Sequence, residues 1–242
     1  MKCLVIGASA GLGRAVTEEL AARGHKLSIV SSDESDLASI AKDLKLRHST
    51  KVSYLAMDLT QINIKSFLRF VEKSLGSPDA IFCIAGYSKM DLDKGPMDHR
   101  FIDKIINTNL SAPIKLVYSL IPRVKKNTHF VFAGSVSAIR PRKSNIVYSS
   151  SKVALENFSQ CIRHAYANKI SSVCCYRIGY MQTSMLFDQK LMLPAIQPMD
   201  AARRIIENIG KKRGVVYLPR WWRIISIILN ALPWFIYKRL NI

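Results

Sequence analysis

Lys2-Cys-Leu-Val-Ile6-Gly7-Ala8-Ser9-Ala10-Gly11-Leu12-Gly13-Arg14 is an apolar run broken by three glycines. Apolar residues at helical spacing follow it: Ala15, Val16, Leu20 and Ala21. The glycines therefore stand at a strand-to-helix turn, the context in which such a loop has meaning. Gly7 permits the tight turn. Gly11 and Gly13 are expected to let the backbone approach a pyrophosphate at the helix N-terminus, where free N–H groups and the helix dipole favour an anion. Ser9, Ala10 and Leu12 complete the expected cradle, and Arg14 is placed to assist it. The spacing is GxxxGxG.

The alternation of short apolar runs and helix-period segments continues along the chain. Strands are predicted at 4–6, 27–30, 52–56, 80–84, 129–133, 173–177 and 215–218. Helices are predicted near 12–23, 34–45, 61–75, 98–125, 147–168 and 199–210. This pattern implies an α/β fold, a Rossmann-like doubly wound parallel sheet of about seven strands flanked by helices. No Pro/Gly/Ser-rich linker divides it, and 242 residues suit a single domain with a full core. The expected organisation is a dinucleotide-binding and catalytic body over 1–218 and an apolar, basic helical tail over 219–242. Gly7, Asp58, Gly86, Ser135 and Gly179 all follow predicted strands, so they converge on one sheet edge, where ligands of such folds bind.

The second informative stretch is Tyr148-Ser-Ser-Ser-Lys152, with Ser135 thirteen positions before the tyrosine. A free tyrosine titrates near about 10 and is a poor base at neutral pH. A lysine ammonium nearby favours the phenolate, and a four-residue spacing on a helix puts both side chains on one face. Ser135 can donate a hydrogen bond to a substrate oxygen as charge builds on it. The set prepares proton transfer to or from a carbonyl or hydroxyl oxygen.

The glycine loop, Ser135 and Tyr148-x-x-x-Lys152 together resemble the short-chain dehydrogenase/reductase family of the YxxxK type, over roughly residues 1–218. The resemblance implies further roles. Asn109 falls at the family's catalytic helix asparagine, which holds a water in the proton relay. Asp58 and Leu59 fall where the family contacts the adenine. Ala85-Gly86 matches the end of its Asn-Asn-Ala-Gly turn, and Gly179 and Thr183 match its nicotinamide-side loop. Three positions depart from the family: Cys83-Ile84 replaces the Asn-Asn pair, Ile178 replaces a proline, and the usual Gly-Gly ending is absent. None removes a catalytic group.

Cofactor choice turns on the end of the second strand, which reads Ser31-Ser32-Asp33. The serines can bond a 2′-phosphate. Asp33 could instead turn to the ribose and select NAD. The balance favours NADP over NAD.

The formal charge is +19, which favours an anionic partner: membrane lipid, an acidic carrier protein or the phosphates of a substrate. No nucleic-acid motif accompanies it, so no nucleic acid is expected. The cysteines number five and show no metal spacing, the histidines are scattered, and no metal is assigned. A strand predicted so close to Met1 leaves no room for a signal peptide, and adjacent Cys174-Cys175 suit a reducing cytoplasm. The tail, Trp221 to Ile242, places Arg223, Ser226 and Asn230 on one face and Trp222, Ile225, Ile228, Leu229 and Leu232 on the other. From Lys211 onward there are seven Lys or Arg and no acid. Such a helix suits the plane of an anionic membrane, and equally a cover for the body. The expected location is cytoplasmic, peripheral on the cytoplasmic face of a membrane.

These features lead to an NAD(P)(H)-dependent oxidoreductase interconverting a carbonyl and a secondary alcohol, on a small-molecule, lipid or lipid-linked sugar substrate at a membrane. The tail is similar to that of family members that reduce lipid-linked keto-sugars. The loop with Met185, Leu186, Phe187, Leu191, Met192 and Leu193 would make an apolar lid. The alternatives are a 3-oxoacyl-carrier-protein reductase and a non-catalytic nucleotide-sensing protein. The resemblance further implies a homodimer or homotetramer paired through the helices carrying Asn109 and Tyr148.

Overall fold

The computed structural model describes residues 1–89, 97–183, 193–211 and 213–240. Seven parallel strands form one sheet in the order β3-β2-β1-β4-β5-β6-β7. They are β1 (Lys2–Ile6), β2 (Lys26–Ser31), β3 (Val52–Ala56), β4 (Ala80–Cys83), β5 (His129–Ser135), β6 (Ser172–Ile178) and β7 (Gly214–Leu218). The central strands are buried on both faces, which is why they read as unbroken apolar runs and not as alternating ones. The strand order reverses between β1 and β4, where Ile6 lies beside Cys83. A crevice opens beyond the carboxyl ends at that point.

Helices cover both faces. On one side α1 (Gly11–Ala22), α2 (Glu34–His48) and α7 (Pro198–Glu207) bury Val16, Leu20, Leu37, Ile40, Ala201 and Ile205. On the other, α3 (Ile64–Leu75), α5 (Ala112–Leu120) and α6 (Ile146–Ala165) bury Phe67, Val71, Leu116, Leu155 and Ile162 against Phe130 and Phe132. These elements match the expected strands and helices to within a few residues, with two corrections.

The helix expected over 98–125 is not one regular helix. It runs as α4 (His99–Ile106), a π turn over Asn107–Ser111, then α5, and ends in a 3₁₀ turn over Ile121–Arg123. Pro113 lacks the N–H that would bond residue 109, and the Ala112 N–H reaches back five residues to the Asn107 carbonyl. The widened turn carries Asn109.

The tail is helical, α8 (Trp222–Ala231) and, after Pro233, α9 (Trp234–Tyr237), but its faces are not divided as expected. Trp222 and Ser226 are both buried, while Ile224, Ile227 and Ile228 are 56–63% exposed. Ser226 tolerates burial because its hydroxyl pairs with that of Tyr217 at 2.7 Å. Among the described residues no helix is long and apolar enough to cross a membrane.

Candidate active site

A cleft of about 600 Å³ lies at the crevice, floored by the carboxyl ends of β1, β4 and β5 and walled by the first turns of α1 and α6. The glycine loop forms one end. Gly7 has φ +91°, and a Cβ there would sit 2.5 Å from the Ala85 backbone. Gly11 has φ +51°, and its missing Cβ leaves 3.3 Å to the Thr183 methyl. Gly13 has a packing reason to be glycine besides the expected phosphate approach. A Cβ there would overlap the Gly7 carbonyl oxygen, so Gly13 lets α1 close on β1. Ser9, Ala10, Leu12 and Gly13 line the same end of the cleft with Gly7 and Gly11.

Ser31 and Ser32 line the cleft at the end of β2, and the Ser31 hydroxyl pairs with that of Ser9 at 2.7 Å. Asp33 does not turn inward. Its carboxylate caps α2 by accepting from the Asp36 N–H at 2.8 Å. Arg14 also lies outside the cleft, bonded to Glu18 one helical turn along at 2.9 Å. An i,i+4 partner on the same helix face captured it. Asp58 and Leu59 line the cleft, with the Asp58 carboxylate held by the Thr60 N–H. Ala85, Gly86, Gly179 and Thr183 complete that wall.

Ser135, Tyr148 and Lys152 meet on the opposite wall. Ser135 ends β5, and its Oγ accepts from the Ser137 N–H and hydroxyl at 3.1 and 2.9 Å. Tyr148 opens α6, and Lys152 follows one turn later with its Nζ 5.6 Å from the Tyr148 ring centre. Lys152 is 3% exposed, and its ammonium donates to the Ala133 carbonyl at 2.9 Å. Burial lowers its pKa to about 8. Burial also raises the Tyr148 pKa, opposed by the Ser135 hydroxyl and the Arg142 charge. The charge that opposes burial at the phenol is that of Arg142, where Lys152 was expected to act.

Asn109 is fully buried and does not line the cleft. Its Oδ1 accepts from the Tyr87 N–H at 2.7 Å, and its Nδ2 donates to the Tyr87 carbonyl at 2.9 Å and to Ser151 Oγ at 3.0 Å. It clamps the loop after β4 to α6 behind Gly86. Of the expected lid, Met185, Leu186, Phe187, Leu191 and Met192 lie outside the described residues.

Sequence reasoning passed over Arg142, Lys104, Ser137 and Tyr180, which also line the cleft. It also passed over the contact between tail and site. A Cβ on Gly179 would overlap the Trp222 indole, and Trp222 meets Tyr180 edge-on at 5.6 Å. Arg140 donates to the carbonyls of Leu229 and Leu232 at the end of α8 and lies 4.0 Å from the Tyr237 ring centre, and the Tyr237 hydroxyl donates to the Pro141 carbonyl at 2.6 Å. The signal was present as Arg140-Pro-Arg-Lys143, a basic stretch between Ser135 and Tyr148.

The family model for short chain dehydrogenases matches residues 2–192. The chain belongs to the short-chain dehydrogenase family. It is therefore an oxidoreductase by family, with the fold expected of one. Among curated relatives, the 11-beta-hydroxysteroid dehydrogenase-like protein 2 of Arabidopsis thaliana is 26% identical over 95% of this chain and 77% of its own. The 3-oxoacyl-[acyl-carrier-protein] reductase of Escherichia coli is 29% identical over 75% and 74%. Among solved structures, L-sorbose reductase from Gluconobacter frateurii, in complex with NADPH and L-sorbose, superposes with a TM-score of 0.79 over 89% of this chain and 93% of its own, at 19% identity.

Proposed function

We propose that this protein is an NADP(H)-dependent reductase or dehydrogenase that interconverts a carbonyl and a secondary alcohol on a lipid or lipid-linked sugar at a membrane surface. The observation that carries the reading is the convergence of Ser135, Tyr148 and Lys152 on one wall of the cleft whose far end is the glycine loop. The residues present suit a dinucleotide. Gly11 and Gly86 hold open space that a side chain would narrow against Thr183 and Lys152. The serines at the end of β2 offer hydroxyls, and the acid that follows them, Asp33, is committed to capping α2. That arrangement favours NADP over NAD, since Asp33 does not stand where it would repel a 2′-phosphate.

When bound, the nicotinamide supplies or accepts the hydride. Ser135 orients the substrate oxygen. Tyr148 gives that oxygen its proton in reduction and removes it in oxidation. Lys152 holds positive charge beside the phenol as it ionises. Asn109 fixes the position of α6 through Ser151, so its part is to hold the wall in register.

The membrane reading rests on the tail. Trp222, Ser226 and Tyr237 anchor it to the body, leaving Ile224, Ile227, Ile228, Trp234 and Phe235 exposed, with Arg220, Arg223, Lys238 and Arg239 beside them. Apolar side chains rimmed by basic ones suit an anionic bilayer from the cytoplasmic side, and surface-bound, not spanning, residence. Pairing of two copies through α5 and α6 accords with exposed Tyr118, Ile146 and Val153 on those helices. The second reading, reduction of a 3-oxoacyl group on an acidic carrier protein, is favoured by the Escherichia coli relative and the positive charge.

The test has two arms. Purified protein with NADPH and a panel of keto-lipids should consume reduced nicotinamide; no turnover with any carbonyl, alongside intact cofactor binding, would favour the non-catalytic alternative. Vesicles with anionic lipid should sediment the protein, and Ile227→Asp with Ile228→Asp should abolish that without unfolding it. Binding to an acyl-carrier protein with no vesicle binding would select the second reading.

A further inference from the structure

Between Ser135 and Tyr148 the chain makes a loop whose backbone is pinned to the tail by Arg140 and by Tyr237. Pinning fixes the direction of the next residue, Arg142, which lines the cleft beside the catalytic wall. Its charge is felt at the Tyr148 phenol, so the two lie on the same side of the cavity. Lys104, from α4, lines the same cavity with its Nζ 4.5 Å from the Tyr87 ring centre. Neither has a carboxylate partner among the described residues. The single acid among the described cleft residues is Asp58, which follows β3 at the sheet's other flank. A guanidinium and an ammonium turned toward a cavity without a counter-charge make a site for an anion. The residues leading into α6, Ser144 and Asn145, line the same cavity.

We propose that Arg142 and Lys104 form an anion subsite on the substrate side of the cleft, which holds a phosphate or carboxylate of the substrate while its carbonyl meets Tyr148. This rests on the reading of Tyr148 as the proton donor. It narrows the substrate class to carbonyl compounds carrying an anionic group a few bonds from the reacting carbon. A phosphate suits both cations best, since Arg142 can present two N–H groups to two oxygens and Lys104 can meet a third. The same chemistry is offered by a lipid phosphate and by a small phosphorylated metabolite.

The experiment measures binding of n-octyl phosphate, n-octanol and inorganic phosphate to NADP-loaded full-length protein by calorimetry, in wild type, Arg142→Gln and Lys104→Gln. Loading with NADP keeps the probes off the glycine loop. Octyl phosphate should bind about tenfold or more tightly than octanol, the difference expected for charge-assisted hydrogen bonds. Added salt should weaken it, and Arg142→Gln should bring the two probes together. Inorganic phosphate displacing octyl phosphate at similar concentration supports the subsite and points to a small phosphorylated substrate; a large advantage for octyl phosphate supports the subsite and a lipid. Equal binding of octyl phosphate and octanol to wild type, or an Arg142→Gln variant that keeps the preference, overturns the subsite. Failure of the protein to take up either NADP or NAD would instead overturn the reading of the cleft as a dinucleotide site, and the wild-type against Arg142→Gln difference would still be read in unloaded protein.

Discussion

Gly13 and Gly179 both stand where a single methyl group has no room, and they differ in what fills the space. At Gly13 it is the carbonyl of Gly7, backbone against backbone between β1 and α1. At Gly179 it is the Trp222 indole, a side chain of the tail laid on the loop after β6. The first contact cannot relax without separating a helix from the sheet. The second can relax by moving one ring. The glycine loop of this protein is therefore held by backbone fit, and the loop after β6 by one side chain that reaches in from the tail.

The largest effect expected from this comparison is that of Gly13→Ala. Overpacking usually costs about 1–3 kcal/mol, and here no flexible atom can yield, so the loss should reach or exceed the top of that range. Thermal melting should fall by many degrees, with cofactor binding lost as a consequence. A variant that melts like wild type but binds dinucleotide poorly would put the phosphate-approach role of Gly13 ahead of its packing role and break the comparison.

Next in size is Tyr148→Phe. It keeps the ring in its buried place and removes only the titrating oxygen, so the fold and cofactor binding should survive. Turnover should fall by about a hundredfold or more. Turnover close to wild type would remove Tyr148 from the chemistry and leave the Ser135 wall without its proton donor.

Gly179→Ala should act more mildly, by about 1–2 kcal/mol, because the Trp222 ring can shift. Its damage should appear in the loop after β6, as weaker tail packing and a modest loss of dinucleotide affinity. Adding Trp222→Ala opens the space again, so the double variant should be less destabilised than the sum of the two single ones. Strict additivity, measured by denaturant unfolding, would mean the tail does not press on the loop.

The same contrast explains what could be read from sequence. Strands such as Leu4–Ile6 announce themselves as apolar runs, and Gly7, Ser135, Tyr148 and Lys152 occupy fixed spacings next to them, so the parallel sheet and the meeting of these residues in one cleft were legible. Side-chain competition was not. Nothing in the residue string says that Arg14 pairs with Glu18, or that Asp33 caps α2 in place of facing the ribose. Nor does helical spacing say which tail face turns inward. Ser226 is polar, and only the distant Tyr217 hydroxyl makes its burial acceptable. Arg142 was visible as a charge, but its direction depends on Arg140 holding the carbonyls of α8, some ninety residues away.

The smallest effect concerns Lys152, which lines the cleft one helical turn after Tyr148. Its folded pKa is about 8, below the ordinary value of 10.5, because burial penalises the ammonium. Below pH 8 both folded and unfolded chains hold this proton, and the penalty is present in full. Between about 8 and 10.5 the unfolded chain still binds the proton and the folded chain releases it, so this group's contribution to stability rises with pH. Lys152→Met removes the titration. Both proteins are compared in a Tyr148→Phe background, which silences the neighbouring phenol. The stability of the protein that keeps Lys152, relative to its Lys152→Met counterpart, should improve by about 1 kcal/mol between pH 7 and pH 9. Cys175, the other titratable group felt by Lys152, stays neutral over that window, with its thiol pushed up to about 12 by burial. Denaturant midpoints for the two proteins at each pH give the difference directly. A difference that stays flat across this range would mean that the Ala133 carbonyl and internal water keep Lys152 charged, and that the ammonium is available to Tyr148 well above neutral pH.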